Sequence, residues 1–590
     1  MGKVLGPDGA PVAGALVAAT PVQPVFELIR ADALETSDAG GHFQFSLPPG
    51  QYAVSATAPG LTAGGGGLVK VEEAGSPPTV EVKLGGEGFT LSGTVRIQDG
   101  RPAPGVVVRA IPFNNDTVGA LHVRTDAEGR YAVKLRSDKH HLYADAPGHE
   151  SRPRGVLLKA DASLDLELRP MVVPPSTEAQ LVQWVRERAV PVKTLELGKG
   201  FEDLERLRSV IGDARVVALG ENTHGTREYF QFRHRLFEYL ATELGFTVFA
   251  VEANWPGSLV LNDYVLGGEG DASKLIEEGL TFWTVDTEEM LELVQWMRRY
   301  NADPSHPRKL QLHGYAHGNP AQAAKALLNY LREVEPERVA EVEALVAPLA
   351  RQKMYWKEYA QLSPEEKQRL REGLEGLLRS FDTRKAAYVA RTGETRWKVA
   401  HHLVRALGQV EEDLRIKSMA RLRDWHMAEN VLWMLEQAGP EGRMVVVGHN
   451  GHITFGDFPA QPMGWHLRQR LGRQYLTMGF FFNQGSFQAI RQQATMPDKR
   501  MPLYEFTVGP APKGLLEHAL AQARLPACVV DLRHAPQSIA PWFQSRWQVR
   551  SIGAAYHEDE PSYWMLAYPS EEYDTLFFVD QTTRARPLQR

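Results

Sequence analysis

Three short motifs occur twice in the same order near the start of the chain, and this duplication limits its fold more than any other feature. Gly2-Lys3-Val4, followed by Gly9-Ala10-Pro11-Val12-Ala13-Gly14-Ala15-Leu16-Val17, is matched by Gly93-Thr94-Val95, followed by Gly100-Arg101-Pro102-Ala103-Pro104-Gly105-Val106-Val107-Val108. Asp38-Ala39-Gly40-Gly41-His42-Phe43 is matched by Asp126-Ala127-Glu128-Gly129-Arg130-Tyr131, and Ala58-Pro59-Gly60 by Ala146-Pro147-Gly148. Each copy alternates short apolar runs with Gly, Pro and Asp. Gly and Pro interrupt helices and favour turns, so the pattern predicts a small all-β sandwich in each copy. The boundaries fall at 1–85 and 86–172. Neither copy carries a cluster of acids, histidines or cysteines, so both read as spacer or docking modules.

From about Thr177 the pattern changes to long helical segments alternating with short apolar runs, the rhythm of an α/β domain with a mainly parallel sheet. Strands are predicted at 215–219, 247–251, 309–312, 444–447, 476–482 and 527–531. Between about 320 and 439 strand signals vanish. Segments 321–335, 337–359, 364–380, 396–409 and 411–437 carry apolar residues at helical spacing, and they predict a large helical insertion able to cover the open end of the sheet. The expected architecture is multidomain: two small β-sandwiches, then one α/β domain over 177–590. A chain of 590 residues is too long for a single core.

Composition narrows the partners. A net charge of −6 at this length gives no reason to expect nucleic acid or anionic lipid. There is no apolar run long enough for a membrane span. The one cysteine, Cys528, excludes a disulfide framework or a cysteine-rich metal site and reads as a buried thiol.

The chemistry collects where the strands end. The run Val216-Val217-Ala218-Leu219 stops at Gly220, presents Glu221 and His224, and passes into a helix predicted over 226–244. The second strand ends on Glu252. The third leads to His313-Gly314-Tyr315-Ala316-His317, and the fourth to His449-Asn450-Gly451-His452. Open α/β sheets bind ligands at the carboxyl ends of their strands. The crossover helix makes the first two strands parallel and, as the simplest arrangement, neighbours about 4.8 Å apart. A glutamate beside a histidine that titrates near neutrality makes a general base. An ionised Glu252 at an apolar strand end requires a partner, for which Arg227 and Arg233 are available.

These residues carry a family resemblance. Gly220-Glu221-Asn222-Thr223-His224-Gly225, Arg233, Val251-Glu252, Phe282-Trp283-Thr284, Arg423-Asp424-Trp425-His426-Met427-Ala428-Glu429-Asn430, His449-Asn450-Gly451-His452 and Asp574-Thr575-Leu576-Phe577 together resemble the erythromycin esterase family over roughly 180–585. One departure is Gly314-Tyr315-Ala316-His317, where members of the family usually show a Gly-Phe-Asp type sequence. The leading pair resembles tandem carboxypeptidase regulatory-like domains on its G-x-P-x-x-G-x-x-V and D-x-x-G-x-[FY] motifs. The resemblance implies hydrolysis of an ester or macrolide lactone without a covalent enzyme intermediate and without metal or other cofactor. It places a base at His224, supporting carboxylates at Glu221 and Glu252, a site arginine at Arg233 and a later histidine at His449.

Water is the expected nucleophile, since no Gly-x-Ser-x-Gly elbow is present. His224, oriented by Glu221 or Glu252, is expected to take its proton, and Arg233 or protonated His449 to steady the oxyanion. Asn222, Trp255, Trp283, Tyr315, His317, Asn450 and His452 are candidates to bind substrate. Two rival readings use the same residues. One is a metal-dependent hydrolase in which Glu221, His224, Glu252, His449 and His452 hold zinc or manganese. The other is a non-catalytic glycan-binding protein, with Trp255, Trp283, Tyr315 and Trp465 stacking on sugar rings. The sandwich modules point to an extracytoplasmic location, whereas a native start at Met1 points to the cytoplasm; oligomeric state is open.

Overall fold

A computed structural model describes residues 1–21, 33–73, 77–112, 120–137, 139–350, 355–416, 419–458, 461–491, 502–556 and 563–588. The amino-terminal region, through Pro170, is β-rich and the remainder α/β, as the sequence predicts. Each sandwich has its own core: Val4, Val17, Phe43, Val54 and Val82 in the first, Leu91, Val95, Val108, Leu142 and Leu168 in the second. The two modules are less separate than their duplication suggests. One continuous sheet runs from Leu121–Arg124 to Ala33–Thr36, and Lys134 pairs in parallel with Thr62 where the modules meet.

In the α/β domain we label β1 (Val190–Pro191), β2 (Val216–Leu219), β3 (Val248–Asn254), β4 (Gln311–Ala316), β5 (Met444–Val447), β6 (Tyr475–Arg491), β7 (Leu503–Val508), β8 (Ala527–Asp531), β9 (Ala555–Tyr556) and β10 (Thr575–Thr582). Their order is β1-β8-β10-β6-β2-β5-β3-β4, with β7 and β9 also pairing β6. The six strands from β10 to β4 are parallel, and β8 and β1 close one edge antiparallel. The expectation that β2 and β3 are neighbours is corrected: β5 lies between them, pairing Val217 on one side and Phe249 on the other through Val445. Glu221 and Glu252 therefore leave the sheet two strand spacings apart, and the loop after β5 emerges between them.

The central strands are apolar without interruption because both faces are covered. Alternate residues serve opposite layers. Val217, Leu219, Val445, Phe249 and Val251 face Phe232, Phe237 and Leu240 of helix α1 (Arg227–Leu244). Val216, Ala218, Val446 and Ala250 face Leu327, Leu403 and Val431 of the helical insertion, on α2 (Pro320–Val334), α3 (Glu394–Ile416) and α4 (Met419–Gln437). Each such large side chain contributes roughly 1.5–3 kcal/mol on burial. Helix α1 stops at Gly245, whose φ of 72° is the left-handed turn that glycine adopts most easily. Cys528 is buried, and burial pushes its thiol up to about 12. No helix among the described residues is long and apolar enough to cross a membrane.

Candidate active site

Glycines set the two loops that carry the site. A side chain at Gly220 would strike the Asn450 amide, and one at Gly225 the backbone of Gln488, so the Gly220–Gly225 loop packs where only hydrogen fits. Two asparagines then clamp it. Asn450 donates from Nδ2 to the Phe480 carbonyl at 2.9 Å and accepts the Phe480 N–H at 3.0 Å. Asn222 accepts the Tyr229 hydroxyl at 2.7 Å and donates to the Arg550 carbonyl at 3.2 Å. Its carbonyl also accepts the N–H groups of Ile552 and Gly553. Both amides are spent on backbone and neighbours, which corrects the expectation that they bind substrate.

Glu221 joins His224 to Arg233. His224 Nδ1 lies 2.6 Å from Glu221 Oε1, and Arg233 Nη1 donates to Glu221 Oε2 at 2.7 Å. Burial opposes the Glu221 charge, but Arg233 and His224 outweigh it and lower the carboxyl to about 2. Burial likewise opposes a charged His224, and Glu221 more than offsets that penalty, raising the imidazole above 6.5. Arg233 also donates to the Gly220 carbonyl. Nη1 and Nη2 are thus engaged at Glu221 and Gly220, so the expectation that Arg233 steadies an oxyanion is corrected: it anchors Glu221.

His449 sits with its ring centre 5.3 Å from that of His224. Its Nδ1 accepts the Gly451 N–H at 3.1 Å, so a neutral ring carries its proton on Nε2, and Nε2 has no hydrogen-bond partner among the described residues. Burial, with His224 and His452 nearby, pushes the ring down to about 3. The expected protonated His449 is thus corrected to a neutral imidazole that offers one N–H.

Glu252 belongs to a second charged group. It accepts from Arg423 Nη2 at 2.8 Å and from the His449 backbone N–H at 3.1 Å, with His452 Nε2 at 3.3 Å. His452 Nδ1 lies 2.7 Å from Asp424 Oδ1. Burial opposes charge on both Glu252 and His452. The pair offsets it together with Arg423 and Asp424, holding Glu252 well below 4.5 and lifting His452 to about 10. Arg423 Nη1 also lies 2.9 Å from His452 Nε2, so two carboxylates are set against one guanidinium around this ring. Neither Arg227 nor Arg233 is the partner of Glu252; Arg227 faces Glu289 at 3.3 Å. His452, expected to bind substrate, is instead paired within this charge network.

The remaining candidates divide. Trp283 is half-buried and meets the His224 ring edge to face, 6.3 Å between centres. Trp255 and Tyr315 are completely buried. Trp255 packs on His402 and Trp433, and Tyr315 donates its hydroxyl to the Val447 carbonyl at 3.0 Å, so neither can stack on a ligand. His317 pairs with Asp413 at 3.2 Å beside His426 in the helical insertion. A cleft beneath Glu221 and Glu252 is lined by Phe230, Val251, Thr284, Val285, Met290 and Val447. Arg423 and Asp424 come from α4, far along the chain from the first two strand ends. Their signal was the charged pair opening the Arg423–Asn430 motif. Among the described residues no group of three or more His, Cys, Asp or Glu side chains is arranged to hold a metal ion.

Comparison with known proteins agrees with this layout. The family model for erythromycin esterase matches residues 241–582, more than half of the chain, and the carboxypeptidase regulatory-like domain model matches 1–85 and 90–169. Erythromycin esterase type II of Escherichia coli is 26% identical over 431 residues, covering 68% of this chain and 97% of that enzyme. A putative hydrolase of Bacillus subtilis is 23% identical over 444 residues, covering 69% and 92%. Among solved structures, a succinoglycan biosynthesis protein superposes with a TM-score of 0.61 at 26% identity, covering 70% of this chain and all of that one. An erythromycin esterase mutant in its open conformation gives 0.53 at 17%, covering 68% and 99%, and shares the fold. The chain is a multidomain member of the erythromycin esterase family of hydrolases, preceded by two carboxypeptidase regulatory-like domains.

Proposed function

We propose that this protein hydrolyses a carboxylic ester or macrolide lactone by direct attack of water, with His224 as the general base. The observation that carries the reading is the pairing of two differently tuned imidazoles. His224 is oriented by Glu221 at Nδ1, which leaves Nε2 as its basic nitrogen, and His449 is held neutral with Nε2–H unpaired among the described residues, 5.3 Å away between ring centres. One ring takes a proton while the other donates a hydrogen bond, which is the division of labour that acyl transfer to water needs.

Water bonds to the carbonyl carbon as its proton passes to His224 Nε2. The carbonyl electron pair moves onto oxygen, where the His449 Nε2–H meets the developing charge. When the intermediate collapses, the carbon–oxygen bond to the alcohol breaks and His224 returns the proton to that leaving oxygen, giving acid and alcohol. Glu221 fixes the tautomer of His224, as a carboxylate does for a catalytic imidazole. Arg233 fixes Glu221. Trp283 is the proposed contact for the apolar part of the substrate. Glu252, Arg423, Asp424 and His452 brace the His449 loop.

Incubation with erythromycin, simple lactones and aryl esters, followed by mass spectrometry for addition of one water, tests this reading, with His224→Ala as control. A chelator-treated sample runs in parallel. Hydrolysis lost by roughly 10²–10⁴ in the variant is expected. Hydrolysis at wild-type rate in a folded His224→Ala protein refutes the assignment, and turnover that requires stoichiometric metal replaces it with the metal-dependent reading.

A further inference from the structure

The second sandwich grips the α/β domain through buried charge. Asp145 lies between Arg109 of its own module, at 2.9 Å, and Arg546 of the α/β domain, at 3.2 Å. Arg546 Nε is 3.3 Å from Glu150 Oε2. Arg152 donates to Glu150 at 2.8 Å and, from Nε, to Glu571 at 2.9 Å, with its guanidinium 3.5 Å from the centre of the Tyr568 ring. The Asp145, Glu150 and Arg546 side chains are only 5%, 2% and 9% exposed. Burying such charges is costly unless each meets its partner, so the contact holds only when the two domains sit in one fixed geometry. A spacer on a loose tether has no need of this.

Both gripped segments lead to the catalytic loops. Arg546 precedes the strand Trp547–Arg550, and beyond it Ile552 and Gly553 donate to the Asn222 carbonyl, while the Gly553 carbonyl accepts the His224 N–H at 3.4 Å. Glu571 lies in the helical turn Pro569–Glu572. The carbonyl of Glu572 accepts the Phe455 N–H at 3.2 Å and the Thr454 hydroxyl at 3.1 Å. Thr454 caps the turn Asn450–Ile453, which carries His452. Glu572 also accepts the Tyr568 N–H through its side chain at 2.8 Å, tying the ring under Arg152 to the same turn. The E. coli relative is matched over 97% of its length by 68% of this chain, so the sandwich pair is an addition to the catalytic unit.

We infer that the second sandwich is a positioning element of the active site: Asp145, Glu150 and Arg152, acting through Arg546 and Glu571, hold the loops that carry His224 and His452. The inference rests on the proposed catalytic reading of those loops, but its test has an arm that does not depend on turnover. Full-length Arg152→Ala and the milder, isosteric Glu150→Gln are compared with wild type by hydrogen exchange over 220–226, 449–456 and 566–573. Their kcat and KM are measured with the ester that wild type cleaves best. Faster exchange in both catalytic loops is expected, with kcat lower by about tenfold or more and KM nearly unchanged. Arg152→Lys, which keeps the charge but not the paired N–H geometry, restores part of both. Faster exchange confined to 566–573, with loop exchange and kcat at wild-type values, overturns the inference. If no ester is cleaved by any form, the exchange comparison still decides whether the sandwich positions the loops.

Discussion

Replacing Glu221 with glutamine is the most informative single perturbation, because this carboxylate serves His224 and Arg233 at once, at 2.6 and 2.7 Å. Its ionisation is displaced from an ordinary 4.5 to about 2, a shift equivalent to about 3 kcal/mol of favourable interaction with the charged form. Because the folded-state value is depressed, that stabilisation is complete above 4.5 and is lost as the pH falls toward 2. Glutamine removes it at every pH and leaves Arg233, which is 4% exposed, without a counter-charge. Breaking a buried pair in this way costs about 3–5 kcal/mol. His224 loses both its orienting partner and the charge that raises it above 6.5. We therefore expect Glu221→Gln to lower the stability measured by denaturant titration by about 3–5 kcal/mol. It should also lower kcat by roughly 10²–10⁴ and move the acid limb of the kcat/KM profile to lower pH. A folded variant with an unmoved acid limb and kcat within about threefold of wild type would refute the coupling of Glu221 to the base.

Other outcomes follow from the same geometry. In wild type, His224 must be neutral to accept a proton, so kcat/KM measured across pH should rise through a midpoint above 6.5; a flat profile between pH 6 and 8 contradicts it. His449→Phe removes the free N–H and should cut kcat by about 10²–10³ with the acid limb in place, as measured by steady-state kinetics. Trp255→Ala should destabilise the fold by about 3–5 kcal/mol in thermal or denaturant unfolding, with KM unchanged, because that indole is core. Arg423→Gln should weaken the bracing of Glu252 and show faster hydrogen exchange at 449–453.

Much of this was legible from residues. An apolar run ending at Gly220 and followed by Glu221 and His224 can be little else than a buried strand delivering polar groups to a sheet edge, and the structure has it so. Repeated turn motifs announced the sandwiches, yet not the continuous sheet that joins them, since strand pairing between modules leaves no periodic trace. The sequence order of β2 and β3 suggested adjacency; the insertion of β5 between them depends on tertiary packing of the helical insertion and is invisible to local pattern. Aromatic residues misled for a related reason. Trp255 follows Asn254 and Tyr315 lies between His313 and His317, two residues from each, but both turn into the layer beneath the insertion. Arg423 and Asp424 were hidden inside a helical motif, where charged residues ordinarily face solvent, and only the fold brings them over the strand ends.

The central claim is that two adjacent imidazoles are tuned in opposite directions, one to accept a proton and one to donate a hydrogen bond. Nitrogen-15 NMR of histidine-labelled full-length protein, titrated across pH and assigned with His224→Ala and His449→Phe, reads both rings directly. His224 is expected to titrate above 6.5 while His449 stays neutral, with its proton on Nε2, far into acid. A His449 that protonates near neutral pH, or a His224 that titrates below its ordinary range, would contradict it.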